Sequence, residues 1–181
     1  MSSRDMVMTL IPFVIICLIV AGIAGSCAFR PGGPSVGEIP RYDAQLALSS
    51  QAKKVAFPLR LPATPEGWTT NSGGTVEIAN TDGGVAVNLG YVTDRTTFLQ
   101  ITQSGISADM LQQFTASGSR NITGEEVIGD QVWAVFSDAD AETLWVAQLP
   151  NSSVSITGSG SPEEFSALAT AFSQAQPLPT S

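Results

Sequence analysis

The sequence predicts an α+β protein: an N-terminal transmembrane helix, then one domain in which an antiparallel sheet of five to six strands packs against helices, the last of them C-terminal. Three observations carry this. No charged residue occurs between Asp5 and Arg30, and the run is strongly apolar. Several segments between residues 75 and 158 are strand-like, the clearest of them alternating large and small residues with period two, and turn-forming residues separate them. A capped segment with one apolar stripe follows at 161–172.

At the N-terminus, the 22 residues from Val7 to Ala28 would span roughly 33 Å as a helix, against a bilayer core of roughly 30 Å. A secretory signal has a shorter apolar core, about 7–15 residues, followed by a polar break; no such break is present. Membrane helices tolerate a proline such as Pro12. The small residues Ala21, Gly22, Ala24, Gly25 and Ser26 suit helix–helix packing and equally a signal peptidase. Cys27 follows Ala24-Gly25-Ser26, a triplet without the large aliphatic residue that precedes a lipidated cysteine. We read Cys27 as a small apolar residue at a helix end. A lipoprotein anchored there, binding a small apolar ligand, and a cleaved soluble product are the alternatives. Arg4 before the run and Arg30 and Arg41 after it nearly balance. Composition decides for a cytoplasmic N-terminus and an extracytoplasmic C-terminal domain on a single-pass plasma-membrane protein.

The chain thus divides into a short cytoplasmic end and transmembrane helix (1–29), a linker rich in Pro and Gly (30–41), the α+β domain (42–175) and a disordered tail (176–181). Ala44, Leu48, Ala52 and Val55 lie on one helical face. Three prolines in 57–68, Pro58, Pro62 and Pro65, exclude helix and leave only edge strand or extended chain. Strands are predicted at 75–80, 84–93, 97–103, 131–137, 143–149 and 153–158. Thr81-Asp82-Gly83-Gly84 and Pro150-Asn151-Ser152 are turn sequences. A short helix starts after Ser107. In the last helix Ser161 caps, Pro162 takes the first position, Glu164 completes a capping box, and Phe165, Leu168, Ala169 and Phe172 form the buried stripe.

Composition excludes much chemistry. The net charge is −8, and beyond Arg30 six basic residues face fifteen acidic ones, which disfavours nucleic acid as a partner. There is no histidine, and both cysteines, Cys17 and Cys27, lie in the apolar run. Cys-His and Ser-His-Asp catalysis, zinc sites of His or Cys, and haem ligation are therefore ruled out of the downstream domain. No catalytic, cofactor-binding or metal-binding residue is assigned, and no cofactor is expected. The acidic group Asp138, Asp140 and Glu142 lacks the glycine turn of a calcium loop and reads as a hairpin tip. The Gly/Ser loop of 157–165 opens a helix where anions can bind, but Ser161, Glu163 and Glu164 argue for self-capping. Trp133 and Trp145 read as core, Trp68 as the more exposed. Gln100, Gln103 and Ser104, beside Thr93 and Asp94, read as ordinary surface, and Glu125, Glu126 and Asp130 as a surface turn.

A pattern accumulates along the chain: Arg4-Asp5-Met6 before the apolar run, "AFPLRLPATPEGW" (56–68), "LGYVTDRTTFLQITQS" (89–104), "GDQVWAVF" (129–136) and "VSITGSGSPEEFSALATAF" (154–172). Together these resemble an actinobacterial family of membrane-anchored proteins known only as a domain of unknown function. The resemblance covers roughly residues 4–172. It implies one N-terminal transmembrane helix and an extracytoplasmic domain, and brings no activity or site residues. Asn121-Ile122-Thr123 and Asn151-Ser152-Ser153 match the glycosylation sequon, without meaning in a bacterial protein. The expected function is a non-catalytic binding or scaffolding domain of the cell envelope, held at the membrane by its helix, with a protein partner or small ligand. An accessory subunit of a membrane complex and a carboxylate-based envelope hydrolase are the other readings.

Overall fold

The computed structural model describes residues 3–23, 41–79, 81, 84–116, 120–138 and 141–180. The chain forms two units, residues 1–38 and 39–181.

In the first unit, helix α1 (Ser3–Ile23) contains Pro12. Among the described residues no helix is long and apolar enough to cross a membrane. The span predicted from Val7 to Ala28 is therefore not found; α1 holds its residues from Val7 to Ile23. Residues 24–28 of the predicted span, Cys27 included, and the predicted linker at 30–40 lie outside the described residues.

The second unit begins with α2 (Ala44–Ala52), capped by Asp43, whose carboxylate accepts from the Leu46 N–H at 3.0 Å. Strands β1 (Thr69–Glu77), β2 (Val85–Val92) and β3 (Phe98–Ser104) follow, then α3 (Ala108–Ala116), β4 (Gly124–Ile128), β5 (Gln131–Asp138), β6 (Ala141–Leu149), β7 (Ser152–Gly158) and α4 (Pro162–Gln174). All seven strands form one antiparallel sheet in the order β1-β2-β3-β7-β6-β5-β4. Two meanders, β1–β3 and β4–β7, are thus joined edge to edge by the pairing of β3 with β7.

Seven strands replace the five to six predicted. The extra one, β4, takes in Glu125 and Glu126 of the expected surface turn, and Glu125, Glu126 and Val127 are all exposed. An edge strand needs only backbone pairing, so it shows no apolar alternation. The two-residue turn Gly129-Asp130 sets its register, with Ile128 opposite Gln131. Gly129 at φ 62 supplies the positive dihedral such a turn needs at its first position. Strand β1 likewise starts at Thr69 rather than 75, since Thr69–Gly74 pair with β2 without an apolar pattern of their own.

Alternate residues divide between two faces. On one face Val87, Leu89 and Tyr91 of β2, Leu99 and Ile101 of β3, Trp133 of β5, Trp145 of β6, and Val154 and Ile156 of β7 meet α2 and the stripe of α4. Trp145 lies 5.4 Å from the Phe165 ring, and Trp133 meets Phe172 edge-on at 6.2 Å. On the other face α3 covers part of β6 and β7, over a small cluster of Phe136, Leu144 and Val146. Residues 176–180, read from sequence as a free tail, run beside the proline-rich segment. Pro177 bridges Arg60, the Leu178 N–H donates to the Leu59 carbonyl at 2.7 Å, and Leu178 packs on the core.

Candidate functional site

At one end of the sheet, the last residues of β3 and β6 and the first of β2 and β7 meet the Lys54–Pro58 segment and the start of α3. Two adjoining hollows of about 310 Å³ and 580 Å³ open there, sharing Ala56, Gly105, Ile106 and Asn151 in their walls. Both volumes lie in the small-ligand range of about 300–1,000 Å³. The floor is apolar, with Phe57, Val85 and Ile106. Gly105 lets the chain pass close to Phe57: a Cβ there would sit 3.2 Å from Phe57 Cδ1, a tight contact. The rim is polar, with Ser107, Gln148 and Asn151, and Lys54 is the one charged side chain among the described lining residues.

Gln148 ties the rim together. Its Oε1 accepts from the Ala108 N–H at the first turn of α3 (2.8 Å), and its Nε2 donates to the carbonyls of Leu149 (2.8 Å) and Ser152 (2.9 Å). One amide thus fixes a helix start and a hairpin, Pro150-Asn151, at once. The crevice can hold a small, partly apolar molecule with an oxygen acceptor near Lys54.

The α4 N-terminus closes on itself. Ser161 Oγ accepts from the Glu164 N–H at 3.4 Å, and the Ser161 N–H donates to Glu164 Oε2 at 2.7 Å. Thr97 Oγ1 donates to the same carboxylate at 3.1 Å. Burial pushes the Glu164 pKa up. The bonds from the Ser161 N–H, Thr93 and Thr97 and the charge of Arg95 outweigh burial and hold the carboxyl below the usual range. Glu163 is lowered as well, by the Ser161 hydroxyl first and its own backbone N–H second. The loop of 157–165 is therefore a filled cap.

The other residues weighed from sequence scatter. Gln103, read as surface, is buried and pairs twice with the Arg60 backbone: the Arg60 N–H donates to Oε1 and Nε2 donates to the Arg60 carbonyl, both at 2.8 Å. Ser104 is buried too, donating to the Val85 carbonyl at 2.7 Å. Both are structural: their side chains replace backbone pairing where the strands stop. Trp133 and Trp145 are core. Trp68 is half-buried, edge-on to Tyr91 at 6.4 Å. The Tyr91 phenol is buried, which raises its pKa and keeps it neutral. Glu125 and Glu126 are neighbours on β4, so their side chains leave opposite faces; Asp130 is in the hairpin turn. Asp138 and Glu142 flank the β5–β6 hairpin, and Asp140 lies outside the described residues. Among the described residues no three His, Cys, Asp or Glu side chains are grouped to hold a metal.

No short motif could have revealed the crevice. Its walls come from four stretches of chain, residues 54–58, 84–85, 105–107 and 148–152, and it takes the β2–β3 and β3–β7 pairings to set the last three side by side.

The model of a family described as protein of unknown function, DUF4245, matches residues 1–172. No curated protein and no solved structure is found similar to the chain.

Proposed function

Since the chain belongs to the DUF4245 family of proteins of unknown function, a membership that carries no activity, we propose from its own residues that it is a non-catalytic binding or scaffolding domain of the bacterial cell envelope. It is held at the plasma membrane by its N-terminal helix and faces outward. The observation that carries this reading is the surface of α1. Val7, Met8, Leu10, Ile11, Phe13, Val14, Ile16 and Leu18 stand 45–78% exposed on every side of the helix. A helix apolar all round is not stable against water and calls for lipid or a protein cover. The uncharged run of the sequence continues past Ile23 to Phe29, which adds the length a span requires. The domain beyond it has no histidine or cysteine, and the chain has few charges, 13%, in keeping with export. The crevice at the sheet end, with its apolar floor and single lysine, supports a binding role.

The test is intact mass, fractionation and protease access in cells making the native protein. Full-length mass in the membrane fraction, with the domain cleaved by protease added outside intact cells, is the expected result. A full-length soluble protein, or a domain protected from outside, overturns the reading. A mass beginning at Cys27 plus lipid replaces the helix by a lipid anchor and keeps the outward-facing domain.

A further inference from the structure

The buried carboxylate of Glu164 does more than close a helix cap. It is also the end point of a chain of hydrogen bonds from the β2–β3 turn, residues 93–97. The N–H groups of Arg95 and Thr97 donate to Thr93 Oγ1 at 3.2 Å and 3.3 Å. Thr93 Oγ1 and Thr97 Oγ1 lie 2.6 Å apart, and Thr97 Oγ1 reaches both carboxylate oxygens. An ionised carboxylate only accepts. The Thr97 hydrogen must therefore point to Glu164, and the Thr93 hydrogen points toward the same pair of acceptors, Thr97 Oγ1 and the Glu164 carboxylate. One negative charge orients the hydroxyls of Thr93 and Thr97.

The turn needs holding. Thr96 sits at φ 63, the one positive φ of a non-glycine residue among those described. A β-branched residue in the left-handed region is strained and persists only where its surroundings over-determine it.

We infer that Glu164 is an acid-releasable latch: its carboxylate holds the strained turn 93–97 against the start of α4, and protonation frees the turn while the helix cap stays closed. A protonated carboxyl that donates to Thr97 reverses the chain. Thr97 must then donate to Thr93, whose oxygen already accepts two N–H groups and whose own hydrogen loses its acceptor. The Ser161 N–H still has the second carboxyl oxygen, and the Ser161 hydroxyl still accepts from the Glu164 N–H. The charged groups at the latch are Arg95 on the turn, which favours the ionised form, and Glu163 on the helix, which shares Arg95. Asp94 of the turn packs beside Gly67, and the Ser159–Ser161 loop adds no titratable group. The folded carboxyl titrates below its ordinary value. The latch is therefore at full strength above that value and is lost as the pH falls through the lower one.

The experiment is residue-resolved amide exchange of the full-length chain, read as protection factors from pH 7 stepwise down to about pH 2, so that the series passes well below the ordinary glutamate pKa of about 4.3. Protection of the Thr96 and Thr97 amides should fall by about tenfold or more at the lowest pH, since charge-assisted bonds are roughly twice as strong as neutral ones. The Glu164 and Phe165 amides, both bonded to Ser161, should keep theirs. E164Q should show the released turn already at pH 7, because glutamine still closes a capping box without the charge. T97V removes the donor but leaves the cap residues, and it gives the same answer if E164Q folds poorly. The inference is overturned by turn protection that is unchanged at low pH, by turn and helix losing protection together, or by variants whose turn matches wild type at pH 7.

Discussion

The two faces of the sheet are made by the same strands and differ in what holds them. On the α4 face, large side chains from five strands interlock with two helices, and Trp133, Tyr91, Phe165 and Leu168 are almost wholly buried. On the α3 face the alternate positions are largely small or polar: Ala86, Asn88, Gln100, Thr102, Ser153, Ser155 and Thr157. There the apolar packing is smaller, with Phe136, Leu144 and Val146 beneath Ala108 and Ala116 and with Leu111 of α3 buried as well, and α3 is joined to β7 by Thr115 Oγ1 and Ser155 Oγ at 3.1 Å. Burial on one face and hydrogen bonding on the other lead to different expectations for mutation.

The contrast is tested most strongly at Trp133. Trp133→Ala opens a large cavity among Trp145, Phe172 and α4 and should cost about 3–5 kcal/mol, read from the denaturant midpoint. Leu144→Ala, equally buried but in the smaller cluster, should cost about 2–3 kcal/mol, because fewer neighbours are held by it. Equal losses at the two positions would mean that both faces carry the fold alike. The smallest effect belongs to Thr115→Val, which removes one hydroxyl pair and should cost about 1 kcal/mol in thermal or chemical unfolding. A loss near that of Leu144→Ala would show the polar contact, and not the apolar cluster, to be what docks α3.

Much of this architecture was legible. The strand β2 alternation of Val85, Val87, Leu89 and Tyr91 against Ala86, Asn88 and Gly90 names both its faces. The α4 cap and stripe appear residue for residue, with Ser161, Glu164, Phe165 and Phe172 in their predicted roles. Both edge strands were harder. The β4 side chains meet water, and the first half of β1, Thr69–Gly74, carries no large apolar residue, so burial leaves no trace in their composition. Gln103 misled for the opposite reason. An amide on a strand end looks like surface, and only the approach of Arg60, 43 residues away, makes it an internal bridge.

Local physics is written in the sequence: periodicity, caps, turn residues, the uncharged N-terminal run, and the chemistries that a chain without histidine forgoes. These depend on neighbours within a few residues. The pairing of β3 with β7, the bridge at Gln103 and the meeting of Thr97 with Glu164 join residues 43 to 67 positions apart, and the crevice brings Lys54 to Asn151. No local preference specifies such contacts. They follow only when burial of the whole α4 face selects one strand order, and that selection belongs to the tertiary structure.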